Sequence, residues 1–429
     1  MKIQKGSIER EFLMKIWHPF TQHGLNEPII EIETSDGEFL ITPGGEKIID
    51  GISSWWVNTI GHKNPVVSEA IQKQAEKLHQ IIFAGFTHKP ALNVAENLSK
   101  FLPENFTHVF FSDSGSTSVE VALKMAVGYH FNKGSTRSKV VAMEHSYHGD
   151  TFGGMSSGAR SVFNEPYTKM LFEVERIPYP VEGKENEAIE AYKKLLQKEG
   201  GKIGAIILEP LVLGSGGMFF YKPFVLEELY KLSKEYRVIF CLDEVMTGFG
   251  RTGTMFAFNQ TNIIPDIICL SKGLTGGSIP LAATVCTKEI YDAYLSEDKA
   301  KMFFHSSSYT ANPIACAAAN ANLEIWQNTD ILADVKRINE FYLGQIERIK
   351  NLGGKNVRTL GDIFAFEVQT DGNDYVSNIG VKFYEYFRKN GVLLRPLGNT
   401  IYVMPPYCIS KESLEKIFDV IENAMKEYL

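Results

Sequence analysis

The chain is poor in cysteine and lacks any long apolar run. Its 429 residues include five cysteines, none in a CxxC pair: Cys241, Cys269, Cys286, Cys316 and Cys408. Most lie within apolar segments, which is typical of buried thiols in a reducing compartment and argues against disulfides or a zinc site. No stretch of about 18 uncharged apolar residues is present, so we expect no membrane-spanning helix.

Basic residues are fewer than acidic ones. Lys and Arg total 44 against 51 Asp and Glu, which gives a formal net charge of −7. This balance argues against nucleic acid or an anionic membrane surface as the main partner. Residues 1–10 contain no apolar core of the signal-peptide kind. These features predict a cytoplasmic protein.

The length and the apolar pattern predict an α/β protein with two domains. A chain of 429 residues exceeds what one compact core usually supports. Apolar segments alternate with helical patterns at 109–111, 140–142, 203–208, 238–242, 267–270 and 282–285. Such uninterrupted strands indicate a mainly parallel sheet covered by helices on both faces. We divide the chain into an N-terminal segment (1–62) that contributes to the small domain, a large domain (63–320) and a smaller α+β domain (321–429).

Further elements are expected outside the sheet. Residues 29–32 and 38–42 have the pattern of strands, and Pro65 opens an amphipathic helix that continues to Ile82. Ser410 is placed to cap the closing helix. In open α/β sheets, ligands bind beyond the carboxyl ends of the strands, so polar residues at those ends are the candidate site.

A lysine and an aspartate follow two of the apolar segments. Lys272 comes just after 267–270, and Asp243 directly follows 242. Burial lowers the pKa of a lysine and makes its amine a nucleophile that can form a Schiff base. A strand-end carboxylate could face a pyridine nitrogen and keep it protonated, or simply cap the next turn. Together they predict a pyridoxal phosphate (PLP) site.

Residues 114–117 follow a strand and open a helix. The backbone amides and hydroxyls of Gly115 and Ser116, at the positive end of that helix, would suit a phosphate. The alternative is a simple cap, since Thr117 with Glu120 fits a capping box. If Asp243 and Lys272 lie close to this helix start in the fold, the phosphate-binding role is favoured over the simple cap.

Four aromatic or acidic residues lie at other strand ends or near them. Tyr147 has an aromatic face that could stack on a flat cofactor ring. His145 and His148 flank it and are expected to be structural, because no cysteine or well-spaced acid accompanies them as a metal ligand. Glu209 ends another strand and could support the same region.

Two glycine motifs match patterns with other functions. GFGRTG at 248–253 matches the dinucleotide pattern, but several residues separate it from the strand and no convincing helix follows. A nicotinamide oxidoreductase would also leave Lys272 without a role. GMSSG at 154–158 matches the nucleophile elbow, but no apolar strand leads into it. We interpret both as loops, with Arg251 a candidate carboxylate partner.

An arginine and two tryptophans are candidate substrate contacts. Arg395 follows an apolar segment and could form a bidentate pair with a substrate carboxylate, although a surface ion pair is the more common role. Trp55 and Trp56 could line a pocket for a long apolar substrate, or pack in the core.

Together these segments resemble the class III (ω-amino acid) aminotransferases of PLP fold type I, over essentially the whole chain. The likeness rests on DEVMTGFGRTG at 243–253 followed by Ser271, Lys272 and Gly273. The segments WHPFTQ, DGISSWW, RPLG and YVMPPY, which begin at 17, 50, 395 and 402, are similar to one branch of the family. That branch converts 8-amino-7-oxononanoate to 7,8-diaminononanoate in biotin synthesis, with S-adenosylmethionine as the amino donor.

The resemblance implies the fold and the roles of the candidate residues. The fold would be a large domain with a mainly parallel seven-stranded sheet, plus a smaller α+β domain, in an obligate homodimer with shared sites. Catalysis would involve Lys272, Tyr147 and Asp243. PLP would be bound by Gly115, Ser116, Tyr147, Asp243, Lys272, Ser307 and Ser308, with the Ser308 hydroxyl coming from the neighbouring subunit. Substrates would contact Trp55, Tyr147, Lys272, Ser306 and Arg395, and the resemblance implies no metal.

Two departures from that branch concern the amino donor. Position 20 is Phe where many members that use S-adenosylmethionine have Tyr, so a hydroxyl is missing near the donor site. Ser306 and Ser307 stand where those members often carry Gly-Pro, and the Ser-Tyr-Thr that follows is similar to lysine-using members. Lysine is therefore an alternative donor, and another class III activity on an ω-amino acid is the next alternative.

Overall fold

The structure is a computed structural model that describes residues 15–25, 28–369 and 378–429. Its strands are β1 (Thr34–Asp36), β2 (Phe39–Ile41), β3 (Lys47–Asp50), β4 (Phe106–Ser112), β5 (Lys139–Met143), β6 (Val174–Ile177), β7 (Ile203–Leu208), β8 (Val212–Leu213), β9 (Phe219–Phe220), β10 (Ile239–Asp243), β11 (Ile267–Leu270), β12 (Ala282–Thr287), β13 (Lys355–Leu360), β14 (Ile363–Glu367), β15 (Val392–Leu393) and β16 (Thr400–Val403). Its α-helices span Ser53–Trp56, Pro65–Ala75, Lys89–Ser99, Gly115–Asn132, Phe152–Ser157, Glu185–Glu199, Pro223–Glu235, Lys288–Asp292, Pro313–Asn328, Ile331–Asn351, Asn378–Lys389 and Lys411–Tyr428. Within these ranges each helix is too short or too polar to cross a bilayer.

Seven strands form the central sheet, in the order β4-β12-β11-β10-β7-β5-β6. Strands β11, β10, β7, β5 and β6 pair in parallel, whereas β12 is antiparallel to both of its neighbours. Every residue of β7, β10 and β11 is buried, as expected for strands with both faces covered. The predicted mainly parallel, seven-stranded α/β fold is confirmed.

Two strand predictions need correction. The sequence pattern missed β6, because this strand lies at the edge of the sheet and carries the half-exposed Glu175 and Arg176. Residues 29–32 are not a strand. Their isoleucines line a surface cavity beside Arg395. The apolar pattern at these positions therefore reflects contact with that cavity and not pairing in a sheet.

Helix predictions were confirmed at one place and wrong at two. Ser410 caps the closing helix, since its hydroxyl oxygen accepts from the backbone N–H of Ser413 at 3.2 Å. The helix that starts at Pro65 ends at Ala75 and does not reach Ile82. It ends there because the backbone N–H groups of Lys77 and Leu78 both donate to the carbonyl oxygen of Gln74 and close a turn. Residues 154–158, expected as a loop, lie largely in a short helix.

A second sheet joins the two ends of the chain. Strands β1, β2 and β3 are extended by β15, with Ile49 opposite Val392 in a parallel pair. A third, antiparallel sheet is formed by β13, β14 and β16. The N-terminal segment is therefore built together with part of the last hundred or so residues. The division of the chain into domains stays a prediction.

The central sheet brings three acidic and basic residues to one edge. Strands β7, β10 and β11 are adjacent and parallel, so their carboxyl ends meet there. Asp243 is the last residue of β10, and Glu209 and Lys272 follow β7 and β11. Four of the five cysteines are buried free thiols, and Cys408 is an exposed one.

A buried ion pair connects the loop after β10 to the C-terminal part of the chain. One guanidinium nitrogen of Arg251 lies 2.6 Å from a carboxylate oxygen of Asp362, and both side chains are buried. The guanidinium also donates to the carbonyl oxygens of Asn58 and Pro405. Arg251 thus has a structural role here and holds the predicted loop at 248–253, which does consist of turns.

Replacement of Asp362 with Ala is expected to lower the free energy of unfolding by about 3–5 kcal/mol, because it leaves a buried guanidinium without its counter-charge. Equilibrium unfolding in urea measures the change. The control is Asp334→Ala, which removes an exposed partner of Arg337 and should lower it by less than about 1 kcal/mol. Equal losses for the two variants would contradict the prediction.

Candidate active site

A cavity of about 360 Å³ lies at the sheet edge where β7, β10 and β11 end. Six of the candidate residues line it: Trp55, Gly115, Ser116, Tyr147, Asp243 and Lys272. Its wall also includes Glu209, His148 and the aromatic residues Phe20, Trp56 and Phe163. Ser306, Ser307, Ser308 and Arg395 do not line it. The candidates thus fall into a group within the cavity and a group outside it.

The amine of Lys272 lies in this cavity, and the residue is half-buried. Burial lowers the pKa of the amine to about 8, although the carboxylates of Asp243 and Glu209 act in the opposite direction. Its Nζ lies 4.6 Å from the centroid of the Trp56 ring. The backbone of Lys272 has a φ of 43°, a left-handed conformation that is strained for a residue with a side chain. The lowered pKa leaves part of this amine neutral near physiological pH.

The carboxylate of Asp243 is oriented by two contacts. One oxygen lies 2.7 Å from Nδ1 of His148, and the other accepts from the backbone N–H of Val245 at 3.1 Å. His148 therefore has a structural partner, as expected, but the partner is an active-site residue. The two side chains come from positions 95 residues apart, so no local pattern in the sequence could have indicated the pair.

Glu209 fixes the loop that carries Tyr147. Its two carboxyl oxygens accept from the backbone N–H groups of Tyr147 at 2.8 Å and of Gly214 at 2.9 Å. Burial raises the pKa of Glu209 to about 7. Burial, together with the nearby charge of Asp150, also raises the pKa of the Tyr147 phenol. The phenol is consequently neutral at physiological pH and offers a flat, uncharged ring.

The helix Gly115–Asn132 points its N-terminus at the cavity. Its cap is Ser114, whose hydroxyl oxygen accepts from the N–H of Thr117 while the Thr117 hydroxyl accepts from the N–H of Ser114. The predicted box of Thr117 with Glu120 is therefore wrong, because Glu120 accepts instead from the N–H of Gly153. A Cβ on Gly115 would lie 2.5 Å from the Val245 side chain, so glycine permits the helix to start this close to the loop after β10.

Aromatic rings form the mouth of the cavity. The Phe20 ring meets those of Trp55 and Phe163 edge to face, with centroids 5.3 and 5.7 Å apart. Arg395 stacks on the Trp55 ring at 5.6 Å and donates to the carbonyl oxygen of Phe20 at 3.0 Å. It lines a neighbouring cavity of about 580 Å³ that shares Phe20 with the first. Arg395 therefore lies one aromatic ring away from the cavity of Lys272.

The serines at 306–308 belong to an outer segment of the chain. The Ser307 hydroxyl accepts from the N–H of Tyr309 at 3.1 Å, and the Ser308 carbonyl oxygen accepts from the Gln80 amide at 2.9 Å. The ring of Tyr309 beside them is exposed. Their contribution of hydroxyls to the site of a neighbouring subunit stays a prediction.

Most of the chain matches one protein family. The family model "Aminotransferase class-III" matches residues 20–425, which include every residue that lines the cavity. The chain belongs to the class III aminotransferases. The fold agrees: a solved adenosylmethionine-8-amino-7-oxononanoate aminotransferase from Methanocaldococcus jannaschii superposes with a TM-score of 0.92 at 34% identity, over 98% of this chain and 99% of that one. A PLP-bound amine transaminase from an uncultivated Pseudomonas species gives a TM-score of 0.91 at 28% identity, over 96% and 98% of the chains.

Curated relatives of this aminotransferase carry one recurring name. The adenosylmethionine-8-amino-7-oxononanoate aminotransferase of Synechococcus elongatus is 44% identical over 96% of this chain and 98% of its own length. The protein of the same name from Helicobacter pylori is 38% identical, over 96% and 95%. The predicted family is therefore confirmed.

Burial of the Lys272 amine should be visible in the stability of this aminotransferase. Its folded-state pKa of about 8 lies below the ordinary 10.5, so the unfolded chain binds more protons between these values and the wild type gains stability as pH rises through them. Lys272→Met should therefore raise the free energy of unfolding of the cofactor-free protein by about 3 kcal/mol at pH 7.

The gain should shrink as pH rises from 8 to 10, because the wild-type amine then becomes neutral in the folded protein. Chemical unfolding at pH 7, 8, 9 and 10 measures it, with Lys169→Met at an exposed position as the control. A gain that does not change with pH would show that burial of the charge is not its cause.

Proposed function

We propose that this aminotransferase converts 8-amino-7-oxononanoate to 7,8-diaminononanoate in biotin synthesis, with S-adenosylmethionine as the amino donor. The observation that carries the proposal is the name shared by relatives that are between 34% and 44% identical over 96% of this chain. The aromatic wall formed by Phe20, Trp55 and Phe163 supports it, since an apolar cavity suits the long aliphatic chain of the oxo acid.

The groups around the cavity fit PLP. They comprise a nucleophilic amine on Lys272, a carboxylate on Asp243, a flat ring on Tyr147, and a helix N-terminus at Gly115 and Ser116. These would bind, in order, the aldehyde, the pyridine nitrogen, the ring face and the phosphate. PLP, when bound, supplies an electron sink that stabilises negative charge on the substrate carbon.

Lys272 carries the chemistry that the protein itself contributes. Its lowered pKa leaves part of the amine neutral, so Nζ can attack an aldehyde and can later accept and return a proton. After an amino donor has taken its place, the freed Nζ is positioned to move that proton. The donor and the oxo acid would use the cavity in turn, which predicts ping-pong kinetics.

Asp243 and Tyr147 would hold the PLP ring. The contact of Asp243 with His148 and with the N–H of Val245 fixes the carboxylate, whose charge would keep the ring nitrogen protonated. Tyr147 is anchored through its backbone by Glu209 and remains a neutral stacking partner. In a homodimer, Ser307 and Ser308 of the second copy would add hydroxyls to the phosphate, and Ser306 would lie near the substrate.

Arg395 is proposed to hold the carboxylate of the oxo acid. It reaches the edge of the cavity through Trp55, and a substrate carboxylate would compete with the Phe20 carbonyl oxygen for its N–H groups. The rings of Phe20, Trp55 and Phe163 line the space between this anchor and Lys272.

Lysine is the second candidate donor. Phe20 lines the cavity and offers no hydroxyl to a donor, whereas the branch that uses S-adenosylmethionine often carries Tyr there. Ser306 and Ser307, which stand where that branch often carries Gly-Pro, also favour lysine.

A donor comparison tests the proposal. The purified PLP-loaded enzyme is mixed with S-adenosylmethionine or with lysine, and loss of the visible absorption of the lysine-bound cofactor is followed. The oxo acid is then added and 7,8-diaminononanoate is quantified. Faster loss with S-adenosylmethionine, followed by product, is expected. Product with lysine but not with S-adenosylmethionine would show that lysine is the amino donor. No product with either donor would refute the proposed function. Lys272→Ala is expected to abolish both signals.

Arg395→Ala should raise the KM for the oxo acid by about ten- to a hundredfold, as expected for loss of a charged hydrogen bond to the substrate. The KM for the donor should change much less. Arg388→Ala is a matched control, because Arg388 stacks on the same Tyr384 ring, at 5.0 Å against 5.4 Å for Arg395. Equal changes in both KM values, or the same pattern in the control, would rule out Arg395 as the specific anchor.

A further inference from the structure

Residues 53–56, which we name the tryptophan turn, have an unusual backbone. Ser53, Ser54 and Trp56 have φ values of 53°, 62° and 66°. Residues with side chains rarely adopt this left-handed region, and three in four consecutive positions is a concentration of strain. Such a conformation persists only where surrounding contacts hold it.

The carboxylate of Asp50 makes several of the contacts that hold the turn. One oxygen accepts from the backbone N–H of Ser54 at 2.7 Å, and the other accepts from the Ser54 hydroxyl at 2.9 Å. The second oxygen also lies 2.8 Å from Nε2 of His62. Asp50 is fully buried, so these contacts are not shared with water. Together with the Ser53 hydroxyl, which donates to the carbonyl oxygen of Met404 at 2.8 Å, the carboxylate thus helps to hold the path of the chain into the two tryptophans.

The tryptophan turn directs its last ring at the reacting amine. The indole N–H of Trp56 donates to the hydroxyl of Tyr402 at 2.9 Å, which fixes the ring in its plane. The ring then faces Nζ of Lys272 at 4.6 Å from its centroid. An aromatic face attracts an ammonium group, and more strongly where water is excluded. Trp56 thus opposes the effect of burial on Lys272.

We propose that Asp50 is a positioning residue of the active site, which acts through the tryptophan turn and Trp56 on the amine of Lys272. The inference rests on the proposed function only in taking Lys272 as the reacting amine. Asp50 itself touches neither Lys272 nor the cavity lining beyond the turn.

The test is a double-mutant cycle of Asp50→Ala and Trp56→Leu. The measurement is the pH dependence of the rate at which the cofactor-free protein binds added PLP covalently, followed by visible absorption. Its midpoint reports the pKa of the Lys272 amine. Asp243, Glu209 and Arg251 also act on that amine, and all three are unchanged in these variants.

Trp56→Leu should lower the midpoint by about 0.5 to 1 pH unit, because the ammonium form loses its aromatic partner. Asp50→Ala should lower it in the same direction. The double variant should show no further change beyond Trp56→Leu alone, because both changes act through one ring. The control is Asp298→Ala: Asp298 accepts from the backbone N–H of Ala300 at 2.9 Å in an exposed turn, and its loss should leave the midpoint unchanged.

An Asp50→Ala midpoint equal to that of the control would overturn the proposal. Additive shifts in the double variant would also overturn it, because Asp50 would then act by another route. If Asp50→Ala does not fold, Asp50→Asn takes its place, since an amide oxygen can still accept from the N–H of Ser54, and a smaller shift is expected. An unchanged midpoint in Trp56→Leu refutes the proposal without any variant of Asp50.

These outcomes are separate from the fate of the proposed function. The midpoint is measured on cofactor-free protein and requires no amino donor or oxo acid. If the wild type forms no diamine but the cycle gives the expected shifts, the proposed function fails and this inference stands. If the wild type forms the diamine and the midpoints do not move, the reverse holds.

Discussion

Removal of one amine from water is the constraint on which the rest of this structure depends. Lys272 follows a strand that is buried on both faces, where an ammonium group is poorly solvated. Carboxylates at two neighbouring strand ends and an aromatic face at the amine stabilise its charged form. Among the described residues, none of these groups is close enough to the amine to form an ion pair with it. The amine is therefore held near the balance between its charged and neutral forms, which is what a reusable nucleophile requires.

The sequence was sufficient for those parts of the fold and site that depend on local pattern. Apolar runs located most strands of the central sheet, and Lys272 and Asp243 stood out because each directly follows such a run. The contact between Asp243 and His148 was not predictable, because it joins residues 95 positions apart. Likewise, the isoleucines at 29–32 resembled a strand although they line a cavity. Periodicity reports that a side chain is shielded from water, and it does not report what shields it.

The cavity wall is assembled from distant parts of the chain. Lys272 and the acids come from the central sheet and its strand ends, whereas Phe20 and the two tryptophans come from the N-terminal segment and Leu397 from the C-terminal one. Buried polar links hold these parts together, among them the pair of Arg251 with Asp362. Substrate selection can therefore vary through the outer segments while the sheet edge and its chemistry remain the same.

The pairing of β3 with β15 also has a consequence for synthesis of the protein. Ile49 meets Val392, so the ribosome must add the intervening 340 or so residues before this pair can form. At about 5–20 residues per second, that delay is roughly 20 to 70 seconds. Throughout this time the N-terminal strands have an open edge and the tryptophan-bearing wall has no support from β15. For the last 120 or so of these residues, roughly 6 to 24 seconds, the lysine strand has been made but its pocket cannot yet close.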